Sequence, residues 1–215
     1  YKRQKKTSSR RECSIMSTSK NLRGFLPARM RGSGANSTGF DEIKITSGHA
    51  QNIFTGDLVE VSAGNLYAVS AGATSVGDAA PAIGVFMGCH YVENGEPKWN
   101  KYWPTGTSAT DAKAFVDTNP WSTYYIQADA TLSAGDINSQ NFGITVGSGS
   151  TVTGQSGFGI KAASRGNLIL DVRPISVLDE PGNDITVAAQ NAFPVVEVRL
   201  IHHVDLLTAT TTVTT

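Results

Sequence analysis

Along much of the chain, apolar and polar residues alternate with a period of two, as they do in half-buried antiparallel strands. Residues 57–61 and 66–69 carry this pattern around a Ser-Ala-Gly-Asn turn sequence, which predicts a β-hairpin. Further strands are predicted at residues 83–89, 124–128, 143–146, 168–172 and 195–201. Because turn signals recur about every ten residues, the pattern predicts an all-β fold with a compact antiparallel barrel- or sandwich-like body.

The same alternation predicts which side chains form the core. Residues two apart on a strand share a face, so four positions of the strand at 83–89 are expected on one buried face. We expect core side chains at Ile83, Val85, Met87, Cys89, Val196, Val198 and Leu200. Residues 110–116 also have a helical alternative, which Ser108 or Thr110 would cap and Pro120 would end.

Three stretches have compositions unlike that of a packed body. The first is a basic N-terminal segment with a Gly-Ser-rich joint at 32–39, the second a low-complexity loop at 147–157, and the third a Thr-rich end. The predicted organisation is therefore an extended basic arm at 1–40, a β-rich body at 41–207 with an aromatic inserted loop at 91–121, and a C-terminal tail at 208–215.

Charge separates the arm from the body. The 18 Lys and Arg residues of the chain balance 18 Asp and Glu residues, which argues against a uniformly basic or acidic binder. Residues 1–31, however, hold ten Lys and Arg side chains against Glu12 alone, a net charge of +9, which leaves −9 for the rest. A body of this charge repels nucleic acid, and the arm contains no known nucleic-acid motif. No nucleic-acid partner is therefore expected, and contact of the basic arm with DNA or RNA stays as a minor alternative.

Targeting signals are scarce. The sequence contains no run of about 18 apolar residues that predicts a membrane helix, and no apolar core of a secretory signal. Two cysteines, Cys13 and Cys89, cannot build a disulfide framework, so a reducing compartment is the default expectation. The first methionine is Met16, and both Tyr1 and Met16 stay open as the natural start.

Motifs for catalysis or metal binding are weak. Residues 154–157 lack the spacing of a nucleophile elbow. His202, His203 and Asp205 can supply metal ligands, but adjacent histidines on a strand point to opposite faces, so a semi-buried His202 is the preferred interpretation. The acidic stretch 179–184 is preferred as a solvated turn over a calcium loop. No catalytic residue, metal or cofactor is predicted.

Aromatic residues cluster between the predicted strands, at Tyr91, Trp99, Tyr102, Trp103 and Trp121. Such rings can stack on sugars or bases, or they can anchor a protein interface, where Trp and Tyr are enriched. The negative charge of the body favours the interface.

Several segments carry a resemblance to a known family. These are Gly-Asp-Leu-Val-x-Val at 56–61, Leu-Tyr-Ala-Val at 66–69 and Ala-Pro-Ala-Ile-Gly-Val-Phe-Met-Gly at 80–88, followed by residues 101–107, 115–120, 125–129 and 146–157. In this order of elements, over about residues 20–207, the chain resembles the head-decoration or cement proteins of tailed bacteriophages. The resemblance implies a virion structural protein, synthesised in the host cytoplasm, that binds the outer surface of the assembled capsid as a homotrimer. Its partner would be the major capsid protein, and it would stabilise the capsid by bridging neighbouring coat subunits.

The resemblance and the patterns together give a set of candidate partner-binding residues. The arm around Phe25 is expected to add a strand to a neighbouring sheet edge while its arginines pair with carboxylates, and Trp99 and Trp103 are expected in a subunit contact. The alternative is a virion-surface module that binds host carbohydrate through Trp99, Trp103 and Trp121. The candidate residues are Arg23, Phe25, Arg29, Arg31, Tyr91, Trp99, Tyr102, Trp103 and Trp121.

Overall fold

The computed structural model describes residues 19–31, 39–70, 81–166 and 170–206. These ranges hold fourteen strands and four short 3-10 turns, which confirms the all-β prediction. None of the helical segments in these ranges is long and apolar enough to span a membrane. The strands are β1 Leu26–Met30, β2 Asp41–Lys44, β3 Ile53–Phe54, β4 Leu58–Ser62, β5 Asn65–Ala68, β6 Gly84–Glu93, β7 Glu96–Asn100, β8 Tyr102–Trp103, β9 Thr110–Asp117, β10 Ser122–Gln127, β11 Ile144–Thr145, β12 Gly159–Ile160, β13 Val172–Val177 and β14 Val195–Leu200. The 3-10 turns are Ala134–Asp136, Ala162–Ser164, Ala188–Gln190 and Val204–Leu206.

Two antiparallel sheets make up most of the body. The four-stranded sheet has the order β1-β10-β14-β13, and the six-stranded sheet has the order β2-β9-β6-β4-β5 with β7 also paired to β6. The predicted hairpin is β4–β5. Two further pairs, β3–β8 and β11–β12, complete the sheets of the described residues. The arrangement is sandwich-like and does not close into a barrel.

Two clusters of buried side chains hold the layers together. The first lies between the two sheets and includes Val196, Val198 and Leu200, so the predicted burial of these three residues is confirmed. The second lies on the other face of the six-stranded sheet and includes Trp103, the residue of β8 that is paired with Ile53 of β3. The six-stranded sheet therefore has buried apolar side chains on both of its faces.

A β-bulge in β6 changes which residues share a face. The pairing of β6 with β9 shifts between Phe86 and Gly88, which places an extra residue in β6. Val85 therefore packs in the first cluster whereas Cys89 packs in the second. The prediction of one common face was wrong: for Cys89 the reason is the bulge, which reverses the alternation beyond it, and Ile83 lies before β6 begins. Met87 and Ile83 are only half-buried, against the first and the second cluster respectively.

Residues 110–117 form strand β9, so the helical alternative was wrong. Ala112, Ala114 and Val116 face the second cluster with a period of two, which a helix could not achieve. The prediction of an inserted aromatic loop at 91–121 was also wrong. This segment contains the end of β6 and the strands β7, β8 and β9.

The N-terminal strand belongs to the body. β1 pairs with β10, and the Phe25 ring is fully buried against Tyr124, with ring centroids 5.7 Å apart. At Gly24 the φ angle is +73°, and a Cβ atom there would lie 2.4 Å from the carbonyl oxygen of Gly56, so only glycine fits. A domain boundary at residue 40 was therefore wrong, because residues 19–31 complete the core. The rest of the predicted arm, at 1–18 and 32–38, and the tail from 207 lie outside the described residues, as do residues 167–169 of a predicted strand.

The low-complexity loop at 147–157 packs on the body instead of standing apart from it. Gln155 forms a parallel bridge with Thr55, and the Ser156 amide donates to the Thr55 carbonyl oxygen over 3.0 Å. A Cβ atom on Gly149 would lie 2.3 Å from the Phe54 ring, so the glycine content permits close packing.

Candidate binding surface

The structure divides the predicted aromatic residues into buried and exposed ones. Tyr91 and Trp103 are buried in the second cluster, with ring centroids 5.1 Å apart, so their assignment to a partner contact was wrong. Tyr102 is half-buried and stacks on Phe54 at a centroid distance of 5.4 Å. Trp99 and Trp121 are 70% and 55% exposed, and both are available to a partner.

The N-terminal candidates divide in the same way. Phe25 is a core residue, because its ring is covered by both sheets, and it cannot contact a partner in this conformation. The side chains of Arg23, Arg29 and Arg31 are exposed. The carboxylate that pairs with Arg29 is the protein's own Glu197, over 2.7 Å from Nε to Oε1 and 2.9 Å from the terminal nitrogen to Oε2.

Glu197 joins all four strands of its sheet. Besides the bidentate contact from Arg29 of β1, its carboxylate accepts hydrogen bonds from Thr123 of β10 and Ser176 of β13, each over 2.8 Å. Burial alone would raise the pKa of Glu197, but the hydrogen bonds from Arg29, Thr123 and Ser176 lower it to about 2. The carboxylate is therefore ionised at neutral pH and holds the outer face of the four-stranded sheet in a fixed geometry.

Around Glu197 the same outer face carries four arginines, Arg29, Arg31, Arg173 and Arg199, which we call the arginine face. One row of directly paired residues crosses the sheet: Arg29 is opposite Thr123, Thr123 is opposite Arg199, and Arg199 is opposite Arg173. Arg31 extends beyond the end of β1, where its amide donates to the carbonyl oxygen of Trp121 over 3.0 Å. The exposed Trp121 ring therefore belongs to a residue at the edge of this face.

The Arg173–Arg199 pair places like charges directly opposite each other, which destabilises a sheet. Burial, together with the charges of Arg173 and Arg31, lowers the pKa of Arg199. One contact that fixes Arg173 is a hydrogen bond from its Nε to the side-chain oxygen of Asn141, over 2.8 Å. The sheet thus holds guanidinium groups close together on a rigid surface that suits carboxylates of a partner.

Sequence reasoning missed Arg173 and Arg199 as candidates. Both occupy polar positions of strands with apolar alternation, so the pattern did place them on a solvent-facing side. Their juxtaposition depends on the register of β13 against β14, which the sequence alone does not specify.

The buried titratable groups are used in packing. Asp117 accepts hydrogen bonds from the Tyr124 hydroxyl over 2.9 Å and from the Ser122 hydroxyl over 3.1 Å, and so connects the two sheets. Burial, with the neighbouring Asp117 charge, raises the pKa of Tyr124. Burial also raises the pKa of Cys89 to about 12, so this thiol is an unreactive core group, in agreement with the sequence-based interpretation.

The weak metal and nucleophile candidates do not assemble into a centre. His202 and His203 are both buried, and His203 Nδ1 accepts the amide of Asp205 over 3.1 Å. The Ser156 hydroxyl accepts the Phe158 amide over 3.0 Å. The segment 179–184 contains a turn in which Asp184 accepts the Thr186 amide over 2.8 Å. Across the described residues, no group of three or more His, Cys, Asp or Glu side chains is arranged to hold a metal ion.

Comparison with protein-family models, with curated proteins and with solved structures gave no significant match.

Proposed function

We propose that this chain is a virion structural protein that binds the outer surface of an assembled icosahedral capsid and stabilises it by bridging neighbouring coat subunits. The resemblance to phage decoration proteins supplies the location, the major capsid protein as partner, and a homotrimer as the bound form. The rigid sandwich-like body, in which buried polar groups such as Glu197 and Asp117 serve packing, is consistent with a role in binding.

The observation that carries the proposal is the arginine face. An Arg–Arg pair across β13 and β14 costs the free protein stability, and a partner that supplies carboxylates offsets that cost in the complex. Guanidinium groups bind carboxylates in a planar, bidentate geometry that a rigid sheet can present without further ordering. An acidic patch on the coat protein is therefore the partner surface that fits best.

Stabilisation follows from linked binding. A protein that binds only the assembled lattice shifts the equilibrium toward that lattice, as any ligand stabilises the state that it binds. Many copies on one head, each linked to more than one coat subunit, add their contributions through multivalency.

The proposal is tested by electron cryo-microscopy of the parent particle and by reconstitution on heads that lack the protein. We expect a copy number set by the icosahedral lattice, with the arginine face against coat subunits. The double variant Arg173→Gln/Arg199→Gln should lower occupancy, while Lys101→Gln, an exposed charge change elsewhere on the body, should not. Location on tail or fibre, or equal occupancy of both variants at low salt, would overturn the proposal.

A further inference from the structure

The inner face of the six-stranded sheet is covered along only part of its length. Asp117 of β9 contacts Tyr124 in the four-stranded sheet, so the sandwich is closed at this point. Phe115 and Lys113 lie two and four residues earlier on the same face of β9, and both are only half-buried. The sheet therefore continues beyond its cover and leaves an open platform.

Three ring side chains pack against one another on this open part, and we call them the aromatic platform: His90, Trp99 and Phe115. Trp99 of β7 is paired with His90 of β6, and their ring centroids are 4.4 Å apart. The rings of Trp99 and Phe115 are parallel within 1° at a centroid distance of 5.7 Å. Trp99 is the most exposed ring, at 70%.

Polar groups stand directly beside the rings. Lys113 is paired with His90 across the strands, and Glu42 of β2 is paired with Phe115. The Lys113 Nζ atom is 3.0 Å from Glu42 Oε2, so the two side chains form an ion pair with no net charge. Lys44, which is also on β2, is paired with Lys113 of β9.

We propose that the aromatic platform binds a sugar ring of an uncharged glycan, a site separate from the arginine face and beyond the proposed capsid-binding function. The C–H groups on one face of a pyranose carry slight positive charge and pack on the negative face of the Trp99 indole, which the stacked Phe115 ring holds in position. The hydroxyl groups at the edge of the sugar then exchange hydrogen bonds with Glu42 and Lys113.

The surroundings of Trp99 favour a sugar over a protein surface. The centre of a protein interface is depleted of charged residues, whereas here an ion pair and Lys44 stand next to the rings. A standard protein interface also covers about 800 Å² per partner, more than three ring side chains supply. A ligand with one apolar face and a hydroxylated edge matches this pattern at the scale of one or two sugar units.

The test is a titration of the full-length protein with cellohexaose, chitohexaose and mannohexaose, followed by the NMR signals of the three tryptophan indoles. We expect at least one oligosaccharide to bind with a dissociation constant below about 10 mM and to shift the Trp99 indole signal. Trp99→Ala should weaken this binding by about tenfold or more. Trp121→Ala removes another exposed tryptophan and should leave the binding unchanged.

The proposal is overturned if none of the three sugars binds in this range, or if Trp99→Ala binds as the parent protein does. It is also overturned if Trp99→Ala lowers occupancy on phage heads while no sugar binds, because the platform would then be a protein contact. Arg173→Gln/Arg199→Gln should keep the sugar binding, so failure of the capsid-binding proposal and failure of this one are distinguishable.

Discussion

Individual buried carboxylates decide how stability depends on pH. Glu197 makes the sheet's outer face rigid because one side chain satisfies donors from three other strands. Asp57 is a different case. It is buried directly before β4, where its carboxylate accepts a hydrogen bond from the Phe54 amide over 2.7 Å. The two groups have opposite pKa shifts and therefore act in different pH ranges.

For Glu197, the hydrogen bonds lower the folded-state pKa from 4.5 to about 2. Its stabilisation is therefore fully present above pH 4.5 and is lost as the pH falls through 2. Glu197→Gln should reduce the free energy of unfolding at pH 7 by about 1–2 kcal/mol, because the charge-assisted hydrogen bonds to the carboxylate are lost while solvent around the exposed Arg29 side chain limits the cost. Urea unfolding at pH 7 and pH 3 measures this, with exposed Glu96→Gln as the control. A variant as stable as its parent at pH 7 would contradict the structural role of Glu197.

For Asp57, burial raises the folded-state pKa from 3.8 to about 6. A raised acid pKa favours the fold below pH 3.8, and this contribution is lost as the pH rises through 6. The parent should therefore lose about 2 kcal/mol of this contribution between pH 4 and pH 7. Asp57→Asn should flatten that slope, which thermal unfolding across this pH range will show. An unchanged slope in the variant would mean that other groups set it.

At the scale of elements, the sequence predicted strands well and their faces less well. The alternation in β14 is regular, so Val196, Val198 and Leu200 were placed correctly. In β6 the bulge reversed the faces, and nothing in the local pattern marks it. Trp99 and Trp103 look equivalent in sequence, yet one is exposed and the other buried, because the registers of β7 on β6 and of β8 on β3 decide their environment.

The N-terminal strand supplies a prediction about truncation. Removal of residues 1–18 should leave the fold intact, because the contacts of β1 and Phe25 are formed by residues from Ser19 onward. Removal of residues 1–31 deletes β1 and the Phe25 ring, and loss of such a ring alone costs about 3–5 kcal/mol. Circular dichroism and melting temperature compare the two truncations, with Phe25→Ala in the full chain as the matched variant. Equal melting of both truncated proteins would show that β1 is dispensable.

For the whole molecule, residues 1–18 are the part of the basic segment that precedes the described residues. They hold six of its ten Lys and Arg residues. Their removal should weaken head binding more at low salt than at high salt, since exposed charges are screened over about 10 Å at 0.1 M. Occupancy on heads at two salt concentrations measures this, and equal occupancy of truncated and full-length protein at both would mean that these residues are incidental to binding.

Stability and binding should trade against each other on the arginine face. The sequence showed Arg173 and Arg199 as polar positions, but only the pairing of β13 with β14 makes them a like-charge pair. Arg199→Gln removes the repulsion, so the free protein should become more stable by about 0.5 kcal/mol. If the protein binds capsids as proposed, the same variant should bind heads less tightly, because one guanidinium fewer is available to carboxylates of the coat protein. Thermal unfolding and head occupancy, measured on the same preparation, test both effects, with Lys101→Gln expected to change neither. A variant that loses stability and keeps full occupancy would show that Arg199 serves the fold and not the partner.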